Sequence, residues 1–293
     1  MPELPEVETV RRGLERRVLG RRITRVEVSH PQVIAGSVED FEQHVRGYIR
    51  GFDRKGKAIA IELDPGLKPA ARKGGGPSYL LVRLGMTGQV TVLPANHPLE
   101  PHTHVRLTLE NGEEIRYRDI RRFGRLRWCS QAEMETVFSG LGPDAPSMPV
   151  EEFVQALKGR RTPIKSWLLN QSRLAGVGNI YADEALFEAR IHPLTEAGLL
   201  KRSAASALHR AVVKVLQRAV AKQGTSFRDY VDIEGQPGRF AQSLKVYQRT
   251  GEPCPRCGRK IRRLVLSGRS SHFCPRCQPR SRRAAVVGRA GAE

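Results

Sequence analysis

The chain has 293 residues and a formal net charge of +20. This length suffices for two domains and a small module. The charge indicates a polyanionic partner, with nucleic acid as the first candidate and a membrane surface as the second. No apolar run approaches the length of a membrane-spanning helix, and the N-terminus lacks the apolar stretch of a signal peptide. Charge and hydropathy together therefore favour nucleic acid.

The first nine residues, Met1 to Thr9, combine a small second residue with the start of a helix. The initiator Met is normally removed before proline, which leaves Pro2 with a free secondary amine. Apolar residues recur at helical spacing from Val7 to Val18, so a helix holds the chain end in place. An amine with a pKa of about 8 is partly neutral and attacks a carbonyl-like carbon to give a Schiff base, with Glu3 beside it as acid or base. A proline-rich helix cap with solubilising glutamates is the alternative interpretation.

Residues 22 to about 128 contain many short apolar or alternating runs, which predict strands. We predict six of them, at Ile23–Val28, Ala58–Leu63, Tyr79–Leu84, Val90–Leu93, Val105–Leu109 and Glu114–Tyr117. The dipeptide Asn111-Gly112 between the last two is typical of a tight hairpin turn. Short strands joined by such turns favour a β-sandwich. The Gly- and Pro-rich segment from Asp64 to Ser78 has the composition of a flexible surface loop.

A Pro-rich linker separates these strands from a helical second half. Helical periodicity predicts helices at Glu151–Leu157, Pro163–Asn170, Ile180–Ala189 and Ala204–Val220. A turn-rich segment follows from Thr225 to Gly238, and the basic, small-residue-rich tail is predicted to be disordered. The predicted boundaries are a β-domain at 1–137, a linker at 138–150, a helical domain at 151–246, a cysteine module at 247–278 and a tail at 279–293.

Four of the five cysteines form two Cys-x-x-Cys pairs separated by sixteen residues. They are Cys254 with Cys257, and Cys274 with Cys277. This is the spacing of a four-thiolate zinc ribbon, and four thiolates leave no open position on the metal, so one structural Zn²⁺ is predicted. The residues between the pairs read as strand, turn, strand, which places Arg269 near the tip of a β-hairpin. Cys129 is expected to be an inert, half-buried thiol.

Three further groups of residues suit contact with nucleic acid. Gly176-Val177-Gly178-Asn179 brings glycines to a helix N-terminus, which suits a phosphate, although a helix-to-helix turn with an Asn cap is the simpler interpretation. Arginine and apolar side chains next to each other can insert into a base stack. The Asp119–Gly124 segment and the Leu84–Gly88 turn contain such side chains. Apolar residues of this kind are also common in protein cores. The residues concerned are Arg160, Arg161, Lys165 and Asn179 for phosphate, Arg121, Phe123 and Met86 for the stack, and His102 and His104, for which phosphate contact and a structural role are both open.

Taken together, these motifs resemble one family, bacterial formamidopyrimidine-DNA glycosylase, in the same order along the chain from Pro2 to Cys277. The matching motifs are Pro-Glu-Leu-Pro-Glu-Val-Glu-Thr, Lys57, Leu-Gly-Met-Thr-Gly, Arg-Arg-Phe-Gly, Gly-Val-Gly-Asn-Ile-Tyr, Pro-Gly-Arg-Phe-Ala-Gln and the hairpin finger. The resemblance implies a two-lobed α+β protein with an N-terminal helix and β-sandwich, a helix-two-turn-helix domain and a C-terminal β-hairpin zinc finger. Ile120 stands where the family commonly has proline.

The resemblance also implies the activity and the residues that perform it. The family enzyme removes 8-oxoguanine and formamidopyrimidines from double-stranded DNA and then cleaves the strand by β- and δ-elimination. By this pattern Pro2 forms the Schiff base, Glu3 is the acid, Lys57 and Arg269 serve the two eliminations and Glu6 supports the site. DNA-contacting residues would be His102, Arg121, Arg160 and Asn179, to which the residues themselves add Lys165, while Met86, Arg121 and Phe123 fill the gap left by the extruded base.

Two other functions stay open at this point. The sister enzyme endonuclease VIII, which removes oxidised pyrimidines, usually has glycine where this chain has Leu4. A non-catalytic damaged-DNA-binding protein on the same scaffold is the alternative from another class, and Pro2, Glu3, Lys57 and Arg269 argue against it. A monomer in the bacterial cytoplasm, associated with the nucleoid, is expected.

Overall fold

The computed structural model describes residues 2–64, 66 and 77–280. The chain divides into two compact units, the first comprising Met1–Leu141 with Ala219–Ala241 and the second Gly142–Arg218 with Gln242–Glu293. Most of the predicted flexible loop between Asp64 and Ser78 lies outside the described residues. The predicted disordered tail lies outside them from residue 281 onward. No helix of the described chain is long and apolar enough to cross a membrane.

Unit 1 is built on eight antiparallel strands in the hydrogen-bonded order β5-β7-β6-β1-β2-β3-β4-β8. The strands are β1 (Arg22–Val28), β2 (Gly47–Lys55), β3 (Ala58–Asp64), β4 (Ser78–Arg83), β5 (Gly88–Pro94), β6 (Thr103–Leu109), β7 (Glu113–Asp119) and β8 (Arg125–Ser130). Buried side chains from β3, β4 and β8 share one core with those from β5, β6 and β7. The two halves of the sheet thus face each other, and the predicted sandwich is confirmed.

Three helices accompany this sheet: α1 (Leu4–Val18), α2 (Val38–His44) and α3 (Gln131–Ser139). The apolar stripe of α1, which includes Val7, Leu14 and Val18, is fully buried in the sandwich core. Helix α3 begins with a capping box in which Ser130 and Glu133 bond each other's backbone N–H. The predicted N-terminal helix is therefore present, and burial of its stripe fixes the position of the residues that precede it.

None of the six predicted strands corresponds to β2 or β8, and helices α2 and α3 were also missed. Strand β2 contains two glycines and several charges, and its pairing with β3 shifts register between Ile49 and Gly51. Such a bulge breaks the alternation on which strand prediction depends. Local signals were available for both helices: Ser130 followed three residues later by Glu133 before α3, and Ser37 followed three residues later by Asp40 before α2.

Unit 2 contains the four predicted helices, α4 (Val150–Leu157), α5 (Ile164–Leu168), α6 (Asn179–Glu188) and α7 (Arg202–Ala221), the last of which crosses into unit 1. Its two-stranded sheet pairs β9 (Arg262–Leu266) with β10 (Arg269–Phe273). Ser267 and Gly268 between them both have positive φ, as a tight hairpin turn requires. The predicted helices and hairpin are confirmed.

Candidate active site and nucleic-acid interface

The N-terminal turn of α1 is held in the interior of unit 1. Pro2 is buried, and Glu3 and Glu6 are 2% and 1% exposed. The Glu6 carboxylate accepts one hydrogen bond from the Glu3 backbone N–H (2.8 Å) and a second from the Thr225 backbone N–H (2.7 Å). A single carboxylate therefore joins the proposed nucleophile's turn to a segment more than two hundred residues later in the chain.

The segment around Gly224 is shaped to approach Glu6 closely. Gly224 has φ +82°, and a Cβ at this position would lie 2.8 Å from Glu6 Oε1. The Tyr230 hydroxyl donates to the Glu6 carbonyl oxygen at 3.4 Å, and burial, followed by the Glu6 charge, raises the pKa of Tyr230. Thr225 and Tyr230 were not singled out from sequence, because only the fold brings them to the chain terminus.

Lys57 lies in the hairpin turn between β2 and β3 and is half-buried. The preceding Gly56 has φ +57°. Arg54 donates to the Gly56 carbonyl oxygen (2.9 Å) and to Glu8 Oε2 on α1 (2.8 Å). The guanidinium of Arg54 therefore ties the turn that carries Lys57 to the helix that carries Pro2.

Glu8 is the acidic centre of this connection. Its carboxylate, 9% exposed, accepts hydrogen bonds from Arg11, Arg12 and Arg54. Burial raises the pKa of Glu8, but the three arginines outweigh burial and lower the pKa to about 2. Glu8 is therefore ionised at all ordinary pH values and holds the arginines in place.

Met86, Arg121 and Phe123 form one exposed cluster at two neighbouring turns. Met86 and Phe123 are 36% and 57% exposed, and Arg121 is also exposed. The Arg121 guanidinium carbon lies 4.6 Å from the centroid of the Phe123 ring, and its Nη1 contacts the sulfur of Met86. Exposure excludes the alternative that Met86 and Phe123 are core residues, and the cluster has the composition of a wedge that enters a base stack.

The two histidines near the start of β6 differ in environment. His102 is exposed and has φ +66°, which is uncommon for a residue with a side chain. His104 is buried, and its Nε2 hydrogen-bonds the carbonyl oxygen of Asp119 (2.9 Å). Only His102 is therefore accessible to a phosphate, and His104 is structural.

In unit 2, Arg160 is exposed and Asn179 begins α6. Gly178, which has no side chain, is the N-cap of this helix. Asn179 is half-buried, and its buried Oδ1 has no hydrogen-bond partner among the described residues. Asn179 thus is not the helix cap considered in the sequence analysis, and a helix N-terminus preceded by glycine suits an anion.

Lys165 does not lie where the sequence analysis predicted. Its side chain is fully buried, and its Nζ contacts Asp183 Oδ1 (2.6 Å) and the Ser270 carbonyl oxygen (2.7 Å). Asp183 Oδ2 in turn accepts from the backbone N–H of His272 (2.8 Å) and hydrogen-bonds its ring Nδ1 (3.0 Å). A phosphate cannot reach Lys165 in this arrangement, so its predicted DNA contact is wrong. The residue supports the hairpin instead.

Arg269 opens β10 directly after the hairpin turn and is exposed. The neighbouring Ser270 is fixed from both sides, since its carbonyl oxygen binds Lys165 and its hydroxyl accepts from Arg263 Nε (2.9 Å). Arg269 therefore projects from a supported backbone.

The four predicted zinc ligands come together at the base of this hairpin. The Sγ atoms of Cys254, Cys257, Cys274 and Cys277 all lie within 4.8 Å of one another. Tetrahedral zinc with Zn–S bonds of about 2.3 Å requires sulfur separations of about 3.8 Å. The Cys254–Cys277 and Cys257–Cys274 distances are 3.9 and 3.5 Å, so the donor set fits one structural Zn²⁺ and holds the hairpin together.

Three family models match the chain in succession. They describe the formamidopyrimidine-DNA glycosylase N-terminal domain (residues 1–126), the formamidopyrimidine-DNA glycosylase H2TH domain (140–230) and a zinc finger found in FPG and IleRS (251–280). The chain belongs to the formamidopyrimidine-DNA glycosylase family. The membership predicted from the dispersed motifs is confirmed.

Similar proteins extend over nearly the whole chain. The formamidopyrimidine-DNA glycosylases of Moorella thermoacetica and Desulforamulus reducens are 45% and 42% identical, over 90% and 92% of this chain and 94% and 95% of theirs. A Lactococcus lactis Fpg variant bound to DNA containing Fapy-dG has a TM-score of 0.87 at 33% identity, and the L. lactis enzyme bound to abasic-site DNA has 0.86 at 34%. Both matches cover 95% of this chain and all of the other.

Proposed function

We propose that the protein is a bifunctional DNA glycosylase and abasic-site lyase of base excision repair, which removes oxidised purines. The observation that carries this proposal is the position of Pro2. It is buried, and the Glu6 carboxylate holds its turn by accepting hydrogen bonds from the backbone N–H groups of Glu3 and Thr225. A frayed chain terminus samples many orientations, whereas this one presents its amine in one place. The L. lactis relatives bound to Fapy-dG and to abasic DNA support the substrate class.

The chemistry follows from a secondary amine at Pro2 once Met1 has been removed. The Pro2 nitrogen attacks C1′ of the damaged nucleotide, the glycosidic bond breaks, and the base leaves with the proton that the amine gives up. The C1′–O4′ bond of the sugar then breaks, and O4′ takes a proton from Glu3, the adjacent acid, which leaves the Pro2 nitrogen doubly bonded to C1′. The resulting iminium acidifies the C2′ proton. Its loss expels the 3′ phosphate in a first elimination, and a second elimination expels the 5′ phosphate. We assign Lys57 to the first elimination and Arg269 to the second.

Binding and base extrusion belong to other residues. A net charge of +20 favours a polyanion, and His102, Arg160, Arg269 and Asn179 are the side chains that we assign to phosphates. Unstacking a base costs a few kcal/mol. Insertion of Met86, Arg121 and Phe123 offsets that cost by replacing the lost stacking contacts. From a DNA substrate we infer a location in the bacterial cytoplasm, associated with the nucleoid.

Borohydride trapping tests the proposal. Turnover of a duplex containing 8-oxoguanine with borohydride present should yield a covalent protein–DNA adduct, and peptide mapping should locate the linkage at Pro2. Glu3→Gln is the matched control, because it keeps the amine and removes the acid, so base release should fall while trapping on a preformed abasic site persists. An adduct at a lysine would overturn the nucleophile assignment. An intact strand would indicate a DNA-binding protein, and preferential cleavage at oxidised pyrimidines would indicate the endonuclease VIII activity.

A further inference from the structure

Asp119, at the end of β7, is a fully buried carboxylate to which the proposed reaction assigns no role. Its Oδ1 accepts from the Thr87 hydroxyl (2.5 Å). Its Oδ2 accepts from the Tyr117 hydroxyl (3.0 Å) and from the Gly124 backbone N–H (2.8 Å). Thr87 follows Met86 and Gly124 follows Phe123, so one carboxylate holds both turns that carry the exposed cluster.

The same group of atoms also fixes Arg121. The Thr87 hydroxyl, which donates to Asp119, accepts a hydrogen bond from the Arg121 backbone N–H at 3.0 Å. The Asp119 carbonyl oxygen accepts from the Arg122 backbone N–H at 3.3 Å. The hydroxyl of Thr87 is therefore both a hydrogen-bond donor and an acceptor, and it connects the Met86 turn with Arg121, the first residue of the Arg121–Phe123 turn.

The two turns also touch directly. A Cβ on Gly85, whose φ is +66°, would lie 2.5 Å from the Gly124 backbone nitrogen. A Cβ on Gly124 would lie 1.9 Å from the Tyr117 hydroxyl oxygen. Glycine at both positions lets the backbones and the Tyr117–Asp119 bond occupy the same small volume.

His102 is attached to this residue as well. The Asp119 backbone N–H donates to the His102 carbonyl oxygen at 3.1 Å, and the buried His104 ring bonds the Asp119 carbonyl oxygen. The left-handed backbone at His102 costs free energy and persists only where the surroundings fix it. Asp119 thus contacts the supports of every exposed side chain that we assign to DNA in unit 1.

We propose that Asp119 and Thr87 are positioning residues that hold the Met86 turn and the Arg121–Phe123 turn as one rigid wedge. The inference rests on the proposed function and extends it to base extrusion. A wedge already in its inserted geometry loses little conformational freedom on entering the stack. Turns that move independently lose that freedom during insertion, so extrusion of a paired base becomes slower.

Thr87→Val and Thr87→Ser make a matched pair for the test, because valine keeps the shape of threonine without the hydroxyl and serine keeps the hydroxyl. Two single-turnover rates are measured, base excision from a duplex with 8-oxoguanine opposite cytosine, and strand cleavage at a preformed abasic site, which has no base to unstack. A lost hydrogen bond to a charged group predicts an excision rate about tenfold lower for Thr87→Val. Cleavage at the abasic site should fall less than threefold, and Thr87→Ser should remain close to the parent in both.

Equal loss of both rates, or equal behaviour of the valine and serine variants, would overturn the inference. Asp119→Asn supplies a second test in the same direction if Thr87→Val does not fold. A 2-aminopurine base beside the lesion reports unstacking on binding without any reaction, and its fluorescence should rise less with Thr87→Val than with Thr87→Ser. A parent protein that leaves abasic DNA intact would contradict the proposed function, and the fluorescence comparison would still decide whether the wedge depends on Thr87.

Discussion

Two buried aspartates, Asp119 in unit 1 and Asp183 in unit 2, each join to the scaffold a turn that we assign to DNA binding, but by different means. Asp119 accepts from two hydroxyls and a backbone N–H, all neutral donors. Asp183 contacts the Lys165 ammonium and accepts from the His272 backbone N–H. Both residues are at most 1% exposed. Burial therefore does not dictate the kind of partner.

The difference determines what happens when one partner is removed. A carboxylate with several neutral donors loses one hydrogen bond among several, which costs about 1–3 kcal/mol when the group stays buried. A buried ion pair that loses one member leaves an uncompensated charge in the interior, which costs about 3–5 kcal/mol. The hairpin that carries Arg269 should therefore be the more fragile of the two supports, although its partners look stronger.

Lys165→Met should have the largest effect, because it leaves Asp183 charged and fully buried. The expected loss is about 3–5 kcal/mol of unfolding free energy, measured by urea denaturation. Arg202→Met is the matched control, since the Arg202–Glu151 pair is exposed at both ends, 73% and 56%, and its loss should be barely measurable.

A second substitution separates charge from packing. Adding Asp183→Asn to Lys165→Met removes the buried charge and keeps an oxygen that accepts from His272, so part of the lost free energy should return. Such non-additivity is expected only for residues that interact. Simple addition of the two single losses would contradict the buried ion pair and would remove the contrast with Asp119.

Glu8 is a carboxylate in unit 1 with charged partners, and its substitution should have the second largest effect on the free energy of unfolding. Its pKa is lowered from the ordinary 4.5 to about 2 in the folded state, so the unfolded chain binds the proton more readily. The contribution to stability, about 3 kcal/mol, is complete above pH 4.5 and is lost as the pH falls towards 2. Glu8→Gln should therefore be less stable than the parent at pH 7, and the difference should narrow between pH 4.5 and 2.

Urea denaturation at a series of pH values measures this difference. Glu39→Gln, at the start of α2, is the control for loss of one exposed carboxylate. A gap between Glu8→Gln and the parent that stays constant down to pH 2 would contradict the ionised Glu8 with its three arginines.

The sequence predicted those parts of the site whose signals lie close together in the chain. The four cysteines, the hairpin turn and the N-terminal helix follow from spacing over a few residues. Strand β2 could not be predicted in this way, because its bulge interrupts the alternation of apolar and polar residues. Lys165 was misassigned because its partner Asp183 lies on another helix. Thr225 and Asp119 have no local signal, since their role depends on contacts that exist only after folding.

Glu6 is a buried carboxylate that accepts from neutral donors, as Asp119 does. Glu6→Gln should therefore have the smallest effect on the free energy of unfolding, a loss of about 1–2 kcal/mol. The glutamine oxygen can still accept from the Thr225 N–H, but its amide group then points at the Glu3 N–H, and one bond is lost. The chain terminus should loosen, so Schiff-base trapping should slow by about tenfold while the urea midpoint changes little. Gly224→Ala should slow trapping through the same contact, because its Cβ would displace the Glu6 carboxylate. Unfolding in step with lost trapping would show that Glu6 holds the fold and not the nucleophile.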